Sequence, residues 1–135
     1  MKLENIFFPH QEVRALPTHD MEGNRHGSRV TLTNTLSAMQ GREDAFGIEV
    51  TLSLDEDNSE NPPYIFTISA FGIFVTDKNV SEVEQELKAQ MELAATQIVV
   101  GSIRERLSSI TSRAPWGAFT LGIIPLVAQQ QEQEQ

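Results

Sequence analysis

Between Phe46 and Leu54 every second residue is large and apolar: Phe46, Ile48, Val50, Leu52 and Leu54. Side chains alternate across a strand, so this period places all five on one face of a sheet. A strand with one buried face needs paired neighbours, and the flanking sequence supplies them. Arg29–Leu36 alternates Val30, Leu32 and Asn34 with Thr31, Thr33 and Thr35, a β-branched strand. Tyr64–Thr76 sets Tyr64, Phe66, Ile68 and Ala70 against Ile65, Thr67, Ser69 and Phe71, so both faces are largely apolar and the strand is central or doubly covered. Gly72 within it suggests a bulge. Lys2–Val13 carries Ile6, Phe7, Phe8 and Val13 around Pro9 and reads as an edge strand or two short pieces. The connecting loops are too short for crossover helices, which makes the sheet antiparallel.

The period changes after Ser81. Ser81-Glu82-Val83-Glu84 fits a capping box, and Val83, Leu87, Met91, Ala94 and Ile98 follow at helical spacing. A second series runs Val99, Ile103, Leu107 and Ile110. The apolar stripe shifts by one residue near Gly101, where a kink, a break or two helices are expected. Two offset stripes exceed what one sheet face can cover, so Val99, Ile103 and Leu107 are expected to form a subunit interface. Pro115 stops the helix. The fold class is α+β: a four-stranded antiparallel sheet with a long helix, continuous or broken near Gly101, packed on one side. Residues 1–128 are expected to form one domain, and the Gln/Glu-rich residues 129–135 a disordered tail.

Composition narrows the function. The formal charge of −9 lacks the basic footprint that nucleic acid requires. Without cysteine there is no thiolate metal site and no thiol nucleophile. His19, Asp20 and His26 share a loop but lack zinc-motif spacing, and read with His10 as ordinary loop and strand residues. Asp55-Glu56-Asp57-Asn58 lacks the glycine and distal glutamate of a calcium loop and reads as a solvated turn. No nucleophile elbow or phosphate loop is present. No segment approaches the roughly 18 apolar residues of a membrane span, and the N-terminus lacks signal-peptide character. The expectation is a soluble, cytoplasmic, non-enzymatic protein with no cofactor. Trp116, Phe119, Leu121, Ile123, Ile124, Leu126 and Val127 crowd a short segment after the helix. They either pack back on the core or form a groove for apolar partners.

Several motifs resemble the SecB family of protein-export chaperones. The family's strand ending Gly-Gly-Ile-Phe corresponds to Phe71-Gly72-Ile73-Phe74. Its helical Ala-Arg-Glu and terminal Ser-Arg-Gly correspond to Ile103-Arg104-Glu105 and Ser112-Arg113-Ala114, and its closing Pro-hydrophobic pair to Ile124-Pro125-Leu126. The Ile6–Ala15 stretch matches the first strand. The resemblance implies a dimer of dimers that holds unfolded or precursor polypeptides in apolar grooves without ATP. It puts Phe7 and Tyr64 at groove aromatic positions, with Trp116 and Phe119 in the adjoining segment. It also marks departures. Thr67, His10 and Arg14 stand where acidic contacts to the SecA motor would be, and the Gln/Glu tail has no counterpart, so SecA binding is not expected. A dedicated client such as an antitoxin is an alternative role. So is an assembly protein whose apolar surfaces are buried in its own oligomer.

Overall fold

The computed structural model describes residues 1–24 and 27–122. Four strands, β1 (Lys2–Ala15), β2 (Thr31–Ala38), β3 (Ala45–Leu54) and β4 (Tyr64–Val75), precede one long helix, α1 (Gln85–Thr111). The sheet is antiparallel with order β1-β4-β3-β2. β4 is therefore central, as its two apolar faces suggest. The alternating residues of β3 and the even-numbered residues of β4 from Tyr64 to Phe74 are buried beneath α1. Ala95, Val99, Ile103 and Leu107 meet them from the helix. Full burial of each Ile, Leu, Phe or Val contributes about 1.5–3 kcal/mol, so this layer dominates the stability.

One of the two readings of β1 holds, and two other local expectations are corrected. β1 is one continuous edge strand, because its pairing with β4 absorbs two irregularities, Leu3/Asn5 and Phe7/His10. Pro9, which has no N–H to give a ladder, sits in the second. Gly72 is not a bulge: its pairing with Ile48 lies in an uninterrupted register. A Cβ at Gly72 would come within 2.9 Å of both Val99 Cγ2 and Phe74 Cε1. The glycine lets α1 approach the sheet. Nor does Ser81 open the helix. Asn79 Oδ1 accepts its N–H at 3.0 Å and caps a separate 3₁₀ turn, Val80–Glu82. Val83 then turns extended, and α1 starts at Gln85 without a side-chain cap.

α1 runs unbroken through Gly101. The two apolar series are two faces of one helix rather than one stripe that slips. Neighbouring residues project about 100° apart at 3.6 residues per turn. Val99 is buried against the sheet, while Ile98 faces outward at 43% exposure. A Cβ added at Gly101 would meet nothing within 4 Å, so no close approach requires the glycine there. Val99, Ile103 and Leu107 are each fully buried against the sheet within this chain. The exposed large apolar residues of α1 are Leu87, Ile98 and, in its last turn, Ile110; Met91 is half-buried between the first two.

At one end of the sheet Asn61 ties two loops together. Its Oδ1 accepts the N–H of Asp20 at 2.7 Å, and its Nδ2 donates to the carbonyls of Asp20 and Asn24 at 2.8 and 3.1 Å. Asn61 adopts φ 54°, a left-handed conformation that asparagine tolerates better than most residues. The expected tail, Ile123–Val127 and His26 lie outside the described residues.

Candidate functional site

The chain leaving α1 folds back over the sheet end, and buried hydroxyls hold it there. Thr111 Oγ1 donates to the carbonyl of Leu107 at 2.7 Å and accepts the N–H of Phe119 at 2.7 Å. Tyr64 Oη donates to the carbonyl of Gly117 at 2.7 Å and accepts the N–H of Trp116 at 3.0 Å. Gly117, at φ 81°, makes the intervening turn. Arg104 Nε donates to the carbonyl of Leu121 at 3.1 Å and fixes the far end. The backbone polar groups of an irregular segment are thus met by side chains, as burial beside a core requires.

This scaffold presents two aromatic rings. Trp116 donates its indole N–H to the carbonyl of Leu16 at 3.0 Å and meets the His19 ring edge-on at 5.2 Å. His19 Nδ1 lies 3.0 Å from the carbonyl of Asn61, which makes Nδ1 the protonated nitrogen. Phe119 packs edge-to-face on Phe66 and Tyr64, with centroids 5.8 and 6.4 Å apart. Between them opens a solvent-facing cleft of about 460 Å³, lined chiefly by His19, Met21, Val30, Trp116, Phe119 and Leu121. It is the size of a side-chain or small-ligand site and is mostly apolar.

The expected site residues separate. Trp116 and Phe119 share the cleft. Tyr64 does not line it: the residue is 1% exposed and acts from beneath, through its hydroxyl. Phe7 is 50% exposed but pairs with Phe71 on β1, remote from the cleft in the fold. His19, Asn61, Thr111 and Arg104 were not expected here. A threonine closing the helix was the one local hint, whereas the Leu16 carbonyl carries no side-chain signal at all.

Electrostatics give no sign of acid–base chemistry in the cleft. The Glu92 carboxyl, on α1, is raised by burial, with Lys88 partly opposing the shift. The Glu4 carboxyl is lowered by its hydrogen bonds from Arg42, at the opposite end of the sheet. Among the described residues no group of three or more His, Cys, Asp or Glu is placed to hold a metal. No helix among them is long and apolar enough to cross a membrane.

No protein-family model matches this sequence, and no curated protein matches it. Solved structures do. The SecB-like chaperone of Mycobacterium tuberculosis, in complex with a ChAD peptide from the HigA1 antitoxin, superposes with TM-score 0.63. The match covers 92% of this chain and 87% of that one at 14% identity. The chain has a SecB-like fold. A protein of unknown function from Streptococcus agalactiae also matches, with TM-score 0.40, 15% identity, and coverage of 90% of this chain and 95% of the other. In this chain the Phe71-Gly72-Ile73-Phe74 strand puts Gly72 at the helix contact and Phe74 in the core beneath the helix. Ser112-Arg113 forms the helix exit into the returning apolar segment.

Proposed function

We propose that this chain is a SecB-like holding chaperone: it binds extended or unfolded polypeptide through apolar contacts, without ATP and without catalysis. The observation that carries the reading is the open cleft between Trp116 and Phe119, whose backbone is held rigid by Tyr64, Thr111 and Arg104. Large aromatic faces bind varied apolar side chains at low entropic cost. A rigid frame reduces the ordering cost of binding. The Mycobacterium tuberculosis chaperone of the same fold holds an antitoxin peptide, which supports a polypeptide client, including a dedicated one. Phe7, half exposed on β1, is a further contact for a client long enough to span the subunit, and Tyr64 serves as the cleft's support. Many weak contacts along one chain would add through effective concentration.

Transfer to SecA is not part of this proposal. Thr67 and Ser69 lie on the open face of the sheet, where Ser69 bonds Thr51 at 2.8 Å, and His10 and Arg14 pair beside them. That surface offers hydroxyls and mixed charge, and its carboxylate opposite Thr67, Glu12, lies 3.3 Å from the His10 ring.

One observation favours the assembly reading as a companion. Leu87 and Ile98 are exposed on the outward face of α1 at 39% and 43%. A helix-to-helix contact between subunits would cover them. We therefore place self-association, as a dimer or dimer of dimers, on that stripe. The test is suppression of aggregation of a denatured client without ATP, measured by light scattering. Trp116→Ala combined with Phe119→Ser should lose most of the suppression while keeping the oligomer. A wild-type chain that fails to suppress, with Trp116 emission unmoved by client, would leave only the assembly role.

A further inference from the structure

The two edges of the sheet are not alike. β1 carries Pro9, two pairing irregularities and the charged residues Lys2, Glu4, Glu12 and Arg14. These are the devices that keep an edge from pairing with another strand. β2, at the other edge, reads Thr-Leu-Thr-Asn-Thr-Leu-Ser-Ala and has none of them. It is regular along its whole pairing with β3. An unguarded edge presents backbone N–H and C=O groups to any extended chain.

Hollows bracket this edge at both ends. The aromatic cleft reaches its start at Val30. A broader hollow of about 810 Å³ lies at its end, lined by Ala38, Met39, Glu43, Asp44, Val80 and Lys88 among others. From Val30 to Ala38 is about 26 Å at roughly 3.3 Å per residue. The charge around the edge is mainly acidic. Glu43 and Asp44 stand at the second hollow, and Asp55, Glu56, Asp57 and Glu60 lie in the loop joining β3 to β4, beside the start of β2. Arg29, Lys88 and Arg42 oppose them: Arg42 is engaged by Glu4 and lies 3.8 Å from Asp44, while Glu43 accepts from Asn79 Nδ2 at 3.1 Å, so an incoming cation would share these carboxylates.

We infer that β2 binds its client by strand addition. An extended segment of about nine residues pairs with the edge, seats a large apolar side chain between Trp116 and Phe119, and places an Arg or Lys against Glu43 and Asp44. This rests on the reading of the chain as a polypeptide binder and specifies how that binding occurs. Backbone pairing gives affinity without regard to sequence, and the two ends give selectivity. The charge argues against a second copy as the occupant. Each copy carries −9, so pairing β2 with β2 would bring acidic loops together.

The test uses the full chain and a capped nine-residue peptide of alternating Val and Thr, with Trp at one end and Arg at the other, made in both directions. In a strand pair only alternate N–H groups point at the partner. N-methylation of one alternate set should weaken binding at least tenfold by fluorescence anisotropy, and methylation of the other set less than threefold. Replacing the terminal Arg by Glu should also weaken it at least tenfold. Hydrogen exchange of the Thr31–Ala38 amides should slow on binding. Equal tolerance of both methylated forms, or no peptide binding by a chain that still holds a denatured client, overturns strand addition and leaves holding intact. Frame-dependent peptide binding by a chain that holds no denatured client supports the edge and overturns general holding. Protection of the β2 amides in the free protein that fades on dilution gives the edge to a second copy and overturns the inference.

Discussion

Replacing Tyr64 by Phe removes one oxygen and tests whether the cleft is held from below. The ring stays, and so does its packing on Phe119 at 6.4 Å. What goes is the hydroxyl that donates to Gly117 at 2.7 Å and accepts from Trp116 at 3.0 Å. Each hydrogen bond contributes about 1 kcal/mol net, and a buried group left without a partner costs about 1–3 kcal/mol. Tyr64 is 1% exposed, so water reaches its side poorly. Trp116 and Gly117 are only half-buried, so their orphaned groups recover part of the loss from solvent. The net destabilisation is therefore about 2–3 kcal/mol, or a fall in Tm of roughly 6–12 °C for a domain of this size. The local effect should exceed the global one. Trp116 is the only tryptophan, so its emission reports the segment directly. Its maximum should shift to the red in the folded variant, and acrylamide should quench it more readily. Urea unfolding followed by circular dichroism gives the stability. A variant within 1 °C of wild type with unchanged Trp116 emission would refute the claim that Tyr64 anchors the segment.

Other substitutions separate the faces of the molecule. Ile98→Asp should dissociate the oligomer into folded monomers by light scattering, whereas Ile103→Asp should prevent folding, because it buries an unpaired charge against the sheet. Dissociation by neither would remove the outward stripe as the interface. Burial raises the Glu92 carboxyl in the folded state, so the folded form binds its proton more tightly than the unfolded one. Stability from this group falls as pH rises through the ordinary carboxylate range, near pH 4, towards the raised folded value, and stays lower above it. Glu92→Gln should accordingly be more stable than wild type at pH 7 and equal to it at about pH 3.5, read as a difference in Tm. Asn34 donates to Thr96 Oγ1 at a long 3.3 Å, and its Oδ1 is buried without a partner. Asn34→Leu should raise stability by about 1 kcal/mol in urea titration, and a loss of that size would mean the amide is satisfied in solution.

The sheet was legible because its signal is local. A period of two over Phe46–Leu54 fixes which side chains are buried without reference to any other part of the chain, whereas the two apolar faces of Tyr64–Phe74 mark a strand without saying which face is the deeper. The helix was legible in extent but not in orientation. Ile98 and Val99 look equivalent in sequence, and only the position of the sheet decides which is core and which is surface. That is why an interface was expected from the residues that fill the protomer's own interior. Trp116 and Phe119 stood out as large rings in an odd place, whereas Tyr64 could not be distinguished as a support. Its role depends on the carbonyl of Gly117 and the N–H of Trp116, and backbone atoms brought together across 52 and 53 residues leave no pattern to read. Strand order had the same character. Nothing in the composition of β2 names it an edge until β4 is seen to pair with both β1 and β3.

The close contact at Gly72 has a mechanical consequence. The helix rests on that glycine at Val99, with no room for even a methyl group between them. From Val99 to Thr111 the helix is an unbroken rod about 18 Å long, at 1.5 Å per residue. Thr111 at its tip holds the Phe119 backbone. Gly72 is thus a fulcrum and α1 a lever arm. Wedging the fulcrum open by a few tenths of an ångström would tilt the arm and displace its tip by a multiple of that distance. A residue that never touches the aromatic cleft thus bears on where one of its walls stands, and side-chain changes at the pivot alone would move that wall.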